Sequence, residues 1–472
     1  MTPEEFRAAG HQIVDWIADY RARAATLPVM TPVEPGALKS KLPQHPPDTP
    51  ESFDRIIEDL DSLIVPAMVH WQHPQFYGYF PSNASLGSVL GDYVSTGLGV
   101  IGIAWQSSPA LTELEEVTTN WMREMLGLSN NWSGVIQDAA STSTLVALLC
   151  ARERTTSFGL SRGGLQAEKN PLVVYVSAQS HSSVDKAALL AGFGRENVRI
   201  IAHDSVYAMR PDALDRAIEA DLSRGVVPSA VVATVGTTTS TAFDPVEAIA
   251  RICRARNMWL HVDAAMAGSA MILPECRFMW QGIEGADSVG INPHKWLGAV
   301  FDCSLYYVRD PEHLVRVMST NPSYLRTAAD GRVKNYRDWG IPLGRRFRAL
   351  KLWFLIREQG VSRLQARLRR DLANAQWLAE QVRSTPDWRL LAPVSLQTLC
   401  VRHHPTTEHG KPHRAPGELG REMEAEALDQ HTLGWVDRIN RSGAAYLTPA
   451  LLDGRWMARV SIGAELTERS HV

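Results

Sequence analysis

AVVATVGTTTSTAFDPVEAIARICRARNMWLHVDA, residues 230–264, holds two short apolar runs, AVVATVG (230–236) and MWLHVDA (258–264), joined by a segment of helical length. The same texture continues on both sides. VVYVS (173–177), VRIIA (198–202), DSVGI (287–291) and SLYYVR (304–309) read as buried strands. Helical patterns lie between them, as in Asp212 to Arg224, where Leu214, Ile218 and Leu222 recur and Gly225 supplies the stop. Strand–helix alternation over this length predicts an α/β domain, a mostly parallel sheet covered on both faces. Ligands in such sheets bind at the carboxyl ends of the strands, so the residues just after each strand carry the chemistry.

Four of those ends are chemically capable. Ser180–His181–Ser182 follows one strand. Gly236 and Thr237–Thr239 follow the next. Asp263 closes the third, and Asn292–Pro293–His294–Lys295–Trp296 follows DSVGI. Taken singly, the Asp reads as a helix N-cap, the His as a structural residue and the Lys as a solvated one. Together, an Asp and a Lys 32 residues later fit one cofactor, pyridoxal phosphate. That cofactor needs an amine for a Schiff base and an acid to keep its ring nitrogen protonated. His181 suits stacking on its ring. QDAASTSTLVALLCARER (137–154) opens a helix on Ala139, Ala140 and Ser141, whose backbone N–H groups suit its phosphate.

The rest of the chain bounds the reading. It has 472 residues, 45% hydrophobic and 21% charged, with a net charge of −3. It can bury a large core, and it has no electrostatic reason to bind nucleic acid or an anionic membrane. Only eight of its 48 basic residues are lysines, which narrows any lysine chemistry. Five scattered cysteines form no C-x-x-C pair, and HHPTTEHGKPHRAPGE (403–418) lacks paired His spacing, so no metal site is expected there and a surface loop is. The opening MTPEEF has no apolar run, which leads to a cytoplasmic expectation. Thr2, Pro3 and Glu5 read as a capped helix start, followed by Phe6, Ile13, Ile17 and Tyr20 at helical spacing. Pro-rich sequence and a second helix near Ser52 come next. Ser62–Gly91 and Tyr93–Thr112 contain no Asp, Glu, Lys or Arg. Their Pro, His and Asn content argues against membrane spans and for burial in a core, a pocket or a subunit interface.

HVDAAMAGSA (261–270), NPHKW (292–296) and IPLGRRFRALKLW (341–353) resemble the group II pyridoxal-phosphate decarboxylases, above all the aromatic-L-amino-acid decarboxylases. VEPG (33–36), HPQFYGYFPS (73–82), SSPALTELE (107–115), GVIQ (134–137) and VGTTT (235–239) fall in family order, so the resemblance covers essentially the whole chain. It implies the aspartate-aminotransferase-like fold (fold type I of the pyridoxal-phosphate enzymes). It divides the chain into an N-terminal helical and dimerisation segment (1–85), a large cofactor-binding domain (86–350) and a small C-terminal α+β domain (351–472). It implies a homodimer with shared active sites. In residues, Lys295 would hold the cofactor as a Schiff base and Asp263 would pair with the pyridine nitrogen. His181 would stack on the ring, and Ala140, Ser141 and Asn292 would hold the phosphate. Thr238 and His294 would lie beside the cofactor. Tyr79, Phe80 and Pro81 would line the substrate pocket, with Ile101 and Ile103 from the neighbouring subunit. Many relatives have Ser or Thr where this chain has Ala139, so one hydroxyl to the phosphate is missing.

The resemblance also places a catalytic tyrosine on a lid, about 318–338 here, and the matching residue is Tyr324. Relatives that oxidise the amine to an aldehyde carry Phe there. The residue before RRF is Gly in enzymes for catechol or indole substrates and often Ser in tyrosine or histidine decarboxylases; here it is Gly344, which predicts room for a large ring. The expected activity is decarboxylation of an aromatic L-amino acid to the arylalkylamine. Tyr324 counts against an aldehyde-forming enzyme. Lys295, Asp263 and His181 together count against an interaction protein that merely kept the fold. ELTERSHV (465–472) resembles the start of a final helix in relatives, which leads to the expectation of a further helix beyond Val472.

Overall fold

The computed structural model describes residues 1–320, 329–405 and 418–472. The chain forms two compact units: Ser82–Ala373 with Ala392–Thr398, and Met1–Pro81 with Asn374–Leu391 and Leu399–Val472.

The larger unit is built on seven strands: β1 (Ser133–Gln137), β2 (Leu172–Ser177), β3 (Val198–Ile201), β4 (Val227–Thr234), β5 (Trp259–Asp263), β6 (Ser288–Ile291) and β7 (Ser304–Val308). Their order is β1-β7-β6-β5-β4-β2-β3. Neighbours from β6 through β3 pair in parallel, whereas β7 runs antiparallel to both β6 and β1. Every residue of β2, β5, β6 and β7 is buried, as strands covered on both faces require. The helices of this unit are α3 (Leu86–Leu98), α4 (Pro109–Leu126), α5 (Ala140–Thr155), α6 (Ser182–Leu190), α7 (Pro211–Ser223), α8 (Val246–Ala255), α9 (Pro311–Met318) and the first part of α10 (Ala349–Ser384), which kinks at Gly360; α4, α5, α7 and α8 pack on the sheet.

Helix α7 shows one departure from the sequence pattern. Leu214 and Ile218 are buried, but Leu222 is exposed and the inward position is Asp221. Spacing of i, i+4, i+7 points inward, and i+8 drifts off the face. The buried Asp221 carboxylate accepts from Tyr175 Oη at 2.9 Å and pairs with Arg199 at 3.0 Å. Gly225 ends the helix with φ +75°, a backbone that β-carbon-bearing residues adopt at a cost.

The smaller unit opens with α1 (Pro3–Arg23), where Thr2 and Glu5 close the expected capping box, and α2 (Phe53–Asp59) follows it. It holds a four-stranded sheet of order β10-β11-β9-β8, from β8 (Trp388–Leu390), β9 (Thr398–His403), β10 (Thr448–Leu452) and β11 (Arg455–Ser461), with α11 (Glu418–Ser442) against β11. The pairs β8–β9 and β10–β11 are antiparallel. No helix among the described residues is long and apolar enough to cross a membrane. The uncharged stretch is only half covered: Phe76, Tyr77 and Phe80 are buried, while Leu86, Leu90, Tyr93, Leu98 and Ile101 stand exposed in the single chain.

Candidate active site

Strands β1, β2, β4, β5 and β6 all run the same way, so their carboxyl ends share one edge of the sheet. That edge collects the residues singled out by sequence in this unit. Asp263 ends β5, paired in register with Thr234 of β4 and Gly290 of β6. It is 5% exposed, and its Oδ1 accepts the Ala265 amide at 3.0 Å. His181 follows β2, Thr238 follows β4, and Asn292 to Lys295 follow β6. Gly236, with φ +83°, turns the chain after β4 so closely that a β-carbon there would lie 2.4 Å from Ala267 Cβ.

The Lys295 backbone is tied on both sides. Its amide donates to Asn292 O at 3.0 Å, and its carbonyl accepts from the Asn83 amide at 3.4 Å. The next residue, Trp296, donates its indole N–H to Asp371 Oδ2 at 2.9 Å. Arg367 Nη2 reaches the carbonyls of Trp296 and Leu297 at 2.7 and 2.6 Å. Arg367 and Asp371 lie one turn apart on α10, which puts them on one face. Sequence reading passed over both; the signal was this i, i+4 charge pair amid Leu364, Leu368 and Ala375, all buried. Burial pushes the Asp371 carboxyl up to about 6, against the Trp296 hydrogen bond and the Arg367 charge.

Two imidazoles sit in the field of Lys295. Burial, then the Lys295 charge, pushes His294 down to about 4, and its Nδ1 accepts the Cys303 amide at 2.9 Å. His181 is lowered by partial burial and by Lys295, with Asp263 opposing, and its Nδ1 accepts the Ser183 amide at 3.1 Å. Both rings are thus neutral near pH 7. His181 thus feels both the Lys295 and the Asp263 charges. A third imidazole, His261, is wholly buried two residues before Asp263 and pushed down to about 4 by burial. Its Nδ1 meets Ser288 Oγ at 2.9 Å.

The edge fits a phosphorylated pyridine cofactor. Helix α5 starts at Ala140 with no side-chain cap. Thr142 and Ser143 donate back to Ala139 O at 3.1 and 3.2 Å, leaving the Ala140 and Ser141 amides as outward donors for an anion. Asn292 is 3% exposed; its side-chain Nδ2 is the donor a phosphate needs, and its Oδ1, without a hydrogen-bond partner, is an acceptor open to a donor. The lysine amine, the buried carboxylate and the phosphate cup are the donor set pyridoxal phosphate needs. The pyridoxal-dependent decarboxylase conserved domain matches residues 35–404.

The chain belongs to the pyridoxal-dependent decarboxylase family.

Tryptophan decarboxylase 2 of Oryza sativa subsp. japonica is 39% identical, the match covering 100% of this chain and 93% of that one. Phenylacetaldehyde synthase of Arabidopsis thaliana is 40% identical over 100% and 94%. The crystal structure of Oryza sativa TDC with PLP and tryptamine superposes with a TM-score of 0.93 at 36% identity, covering 100% of this chain and 96% of that one. The decarboxylase therefore has the expected fold type I architecture and depends on pyridoxal phosphate.

The outer residues fall into three groups. In the decarboxylase's larger unit, Ile101 is exposed, Ile103 half-buried and Gly344 exposed. A β-carbon on Gly344 would lie 3.4 Å from Ile101 Cγ2, and the Gly102 amide donates to Arg345 O at 2.8 Å, so the two segments travel together. Arg345 is buried and anchored on Glu115 at 2.6 Å. In the smaller unit, Tyr79 has φ +51° and stacks on Trp71 with ring centroids 5.4 Å apart. Its amide donates to Thr448 Oγ1 at 2.6 Å. Phe80 and Pro81 beside it are buried, with Arg459 over the Phe80 ring at 4.6 Å. Tyr324 lies outside the described residues, as does most of the His-rich 403–418 segment. Among the described residues no cluster of three metal-ligating side chains occurs.

Proposed function

We propose that the decarboxylase acts on an aromatic L-amino acid of the tryptophan, phenylalanine, tyrosine or DOPA type, releasing CO2 and the arylalkylamine. The observation that carries the reading is the placing of His181, Lys295 and Asp263 at or just after the carboxyl ends of β2, β6 and β5, along one edge of the sheet. The aromatic substrate class is supported by the tryptophan decarboxylase relative and by the structure solved with tryptamine. When bound, pyridoxal phosphate supplies an electron sink for the pair released as CO2 leaves. Lys295 Nζ would hold it and give way to the substrate amine. The Asp263 carboxylate would keep the proton on its ring nitrogen. Asn292 and the amides of Ala140 and Ser141 would take its phosphate. His181, Thr238 and His294 would line it, the two imidazoles neutral and adding no charge to compete with Lys295. Tyr324 would return a proton to substrate Cα. Tyr79, Phe80 and Pro81 would line the substrate pocket, with Ile101 and Ile103 contributed from the neighbouring subunit, and Gly344 would leave room for the aromatic ring. Incubation with a panel of aromatic and acidic amino acids tests the substrate class. Turnover of aromatic substrates alone is expected, and preference for glutamate or another acidic amino acid would overturn it.

Gly344 sets the room for that ring. Its φ is not positive and its β-carbon direction is clear to 3.4 Å, so serine fits without backbone strain. Gly344→Ser is expected to lower kcat/KM for tryptophan by roughly 10-fold or more relative to tyrosine, the scale set by one methylene-sized group in a pocket. Equal loss on both substrates would remove Gly344 from the pocket.

The active form is proposed to be a cytoplasmic homodimer. Support comes from the apolar face left open by Leu86, Leu90, Tyr93, Leu98, Ile101, Ile341 and Leu343 in the single chain. Since Gly344 lies against Ile101, a dimer that lends Ile101 to the partner's pocket lends Gly344 with it. Light scattering is expected to give twice the chain mass, and Leu90→Asp to shift it toward 52.2 kDa with loss of activity. An active wild-type monomer would contradict the proposal.

A further inference from the structure

The residue just before the N-cap of α5 is an acid. Asp138 Oδ1 accepts the Ala139 amide at 2.8 Å. Ala139 itself is extended, at φ −144°, and has no side-chain oxygen to offer the helix. The carboxylate therefore stands one residue from the outward amides of Ala140 and Ser141, at the positive end of a 16-residue helix. Among the described residues no ion pair involves Asp138. One cation in its field is Arg348, and Arg348 is already committed to Asp302 through two hydrogen bonds of 3.0 and 2.9 Å. The negative charge is thus not cancelled where it stands.

A carboxylate and a phosphate draw on the same helix field, and two anions side by side repel. We infer that Asp138 lowers the affinity of this decarboxylase for its cofactor, by setting a fixed negative charge beside the amides that receive the phosphate. The inference rests on the reading that α5 takes the phosphate. Its consequence is a decarboxylase whose loaded fraction follows the free cofactor concentration instead of staying saturated.

Asp138→Asn isolates the charge. The side chain keeps its shape, and its Oδ1 can still accept the Ala139 amide. Equilibrium dialysis of the holoenzyme against falling free pyridoxal phosphate is expected to give a Kd about 10-fold lower for the variant at low ionic strength. Added salt should narrow the gap, because the repulsion is screened. If Asp138 only stabilises the helix end, Asn will lower Tm and leave Kd unchanged, which overturns the inference. Ala139→Asp, which adds a second carboxylate at the N-cap, separates the two levels of the argument. Weaker cofactor binding in Ala139→Asp with no change in Asp138→Asn would refute the role of Asp138 and leave α5 as the phosphate site. No change in either variant would refute both.

Discussion

Lys295→Ala is expected to lower amine formation by roughly 10⁴-fold or more, the scale of losing a covalent catalytic group. Alanine removes the amine proposed to hold the cofactor and to exchange with the substrate. It leaves the loop in place, since the bonds that fix position 295 come from its own backbone and from Trp296, Arg367 and Asp371. The variant should therefore fold, with an unchanged far-ultraviolet spectrum, and should still take up cofactor weakly through the phosphate cup and Asp263. Among the described lysines, Lys351 is wholly buried and paired with Asp92 at 2.9 Å, so it offers no substitute. An alanine variant that keeps a tenth or more of wild-type activity would contradict the proposal.

Tyr324→Phe is expected to change the products. After CO2 leaves, Cα must receive a proton before oxygen reacts there. The Tyr324 phenol is proposed to supply that proton, and phenylalanine keeps the ring but not the acid. The variant should bind substrate nearly as well as the wild type. It should form amine more slowly by about 10²–10⁴-fold, the range for a lost general acid. Part of its turnover should consume oxygen and yield aldehyde, ammonia and peroxide in equal amounts. Amine and peroxide measured together under air decide the matter. Unchanged amine output without peroxide would remove the acid role from Tyr324 and make His181 the candidate proton donor instead. The phenylacetaldehyde synthase among the relatives gives the wild-type measurement its own weight, since peroxide from the wild type would favour that chemistry.

The sheet was legible because β2, β5, β6 and β7 are buried along their whole length and appear as short apolar runs; VRIIA also reads as buried, but β3 is the edge strand, with Ile201 buried and Ile200 71% exposed. The direction of β7 was not, because SLYYV is equally apolar in a parallel or an antiparallel setting. The inward Asp221 of α7 escaped for a related reason: hydrophobic phase alone favours Leu222, and only the partners Tyr175 and Arg199 make a buried carboxylate tolerable there. The shared edge holding Asp263, His181 and Lys295 could be foreseen because strand ends mark it in the sequence. Arg367 and Asp371 could not, since they reach Trp296 across about 70 residues of chain. Asp138 was in plain view within QDAAS. Its meaning appears only when its carboxylate is seen to take the Ala139 amide at the mouth of α5.

Borohydride reduction of the holoenzyme, followed by peptide mapping, tests directly whether Lys295 holds the cofactor. Reduction fixes the cofactor to whichever lysine holds it. A single labelled peptide containing Lys295 is expected, with the phosphopyridoxyl absorbance carried on that fragment. Label on Lys186, Lys351 or any other lysine would contradict it.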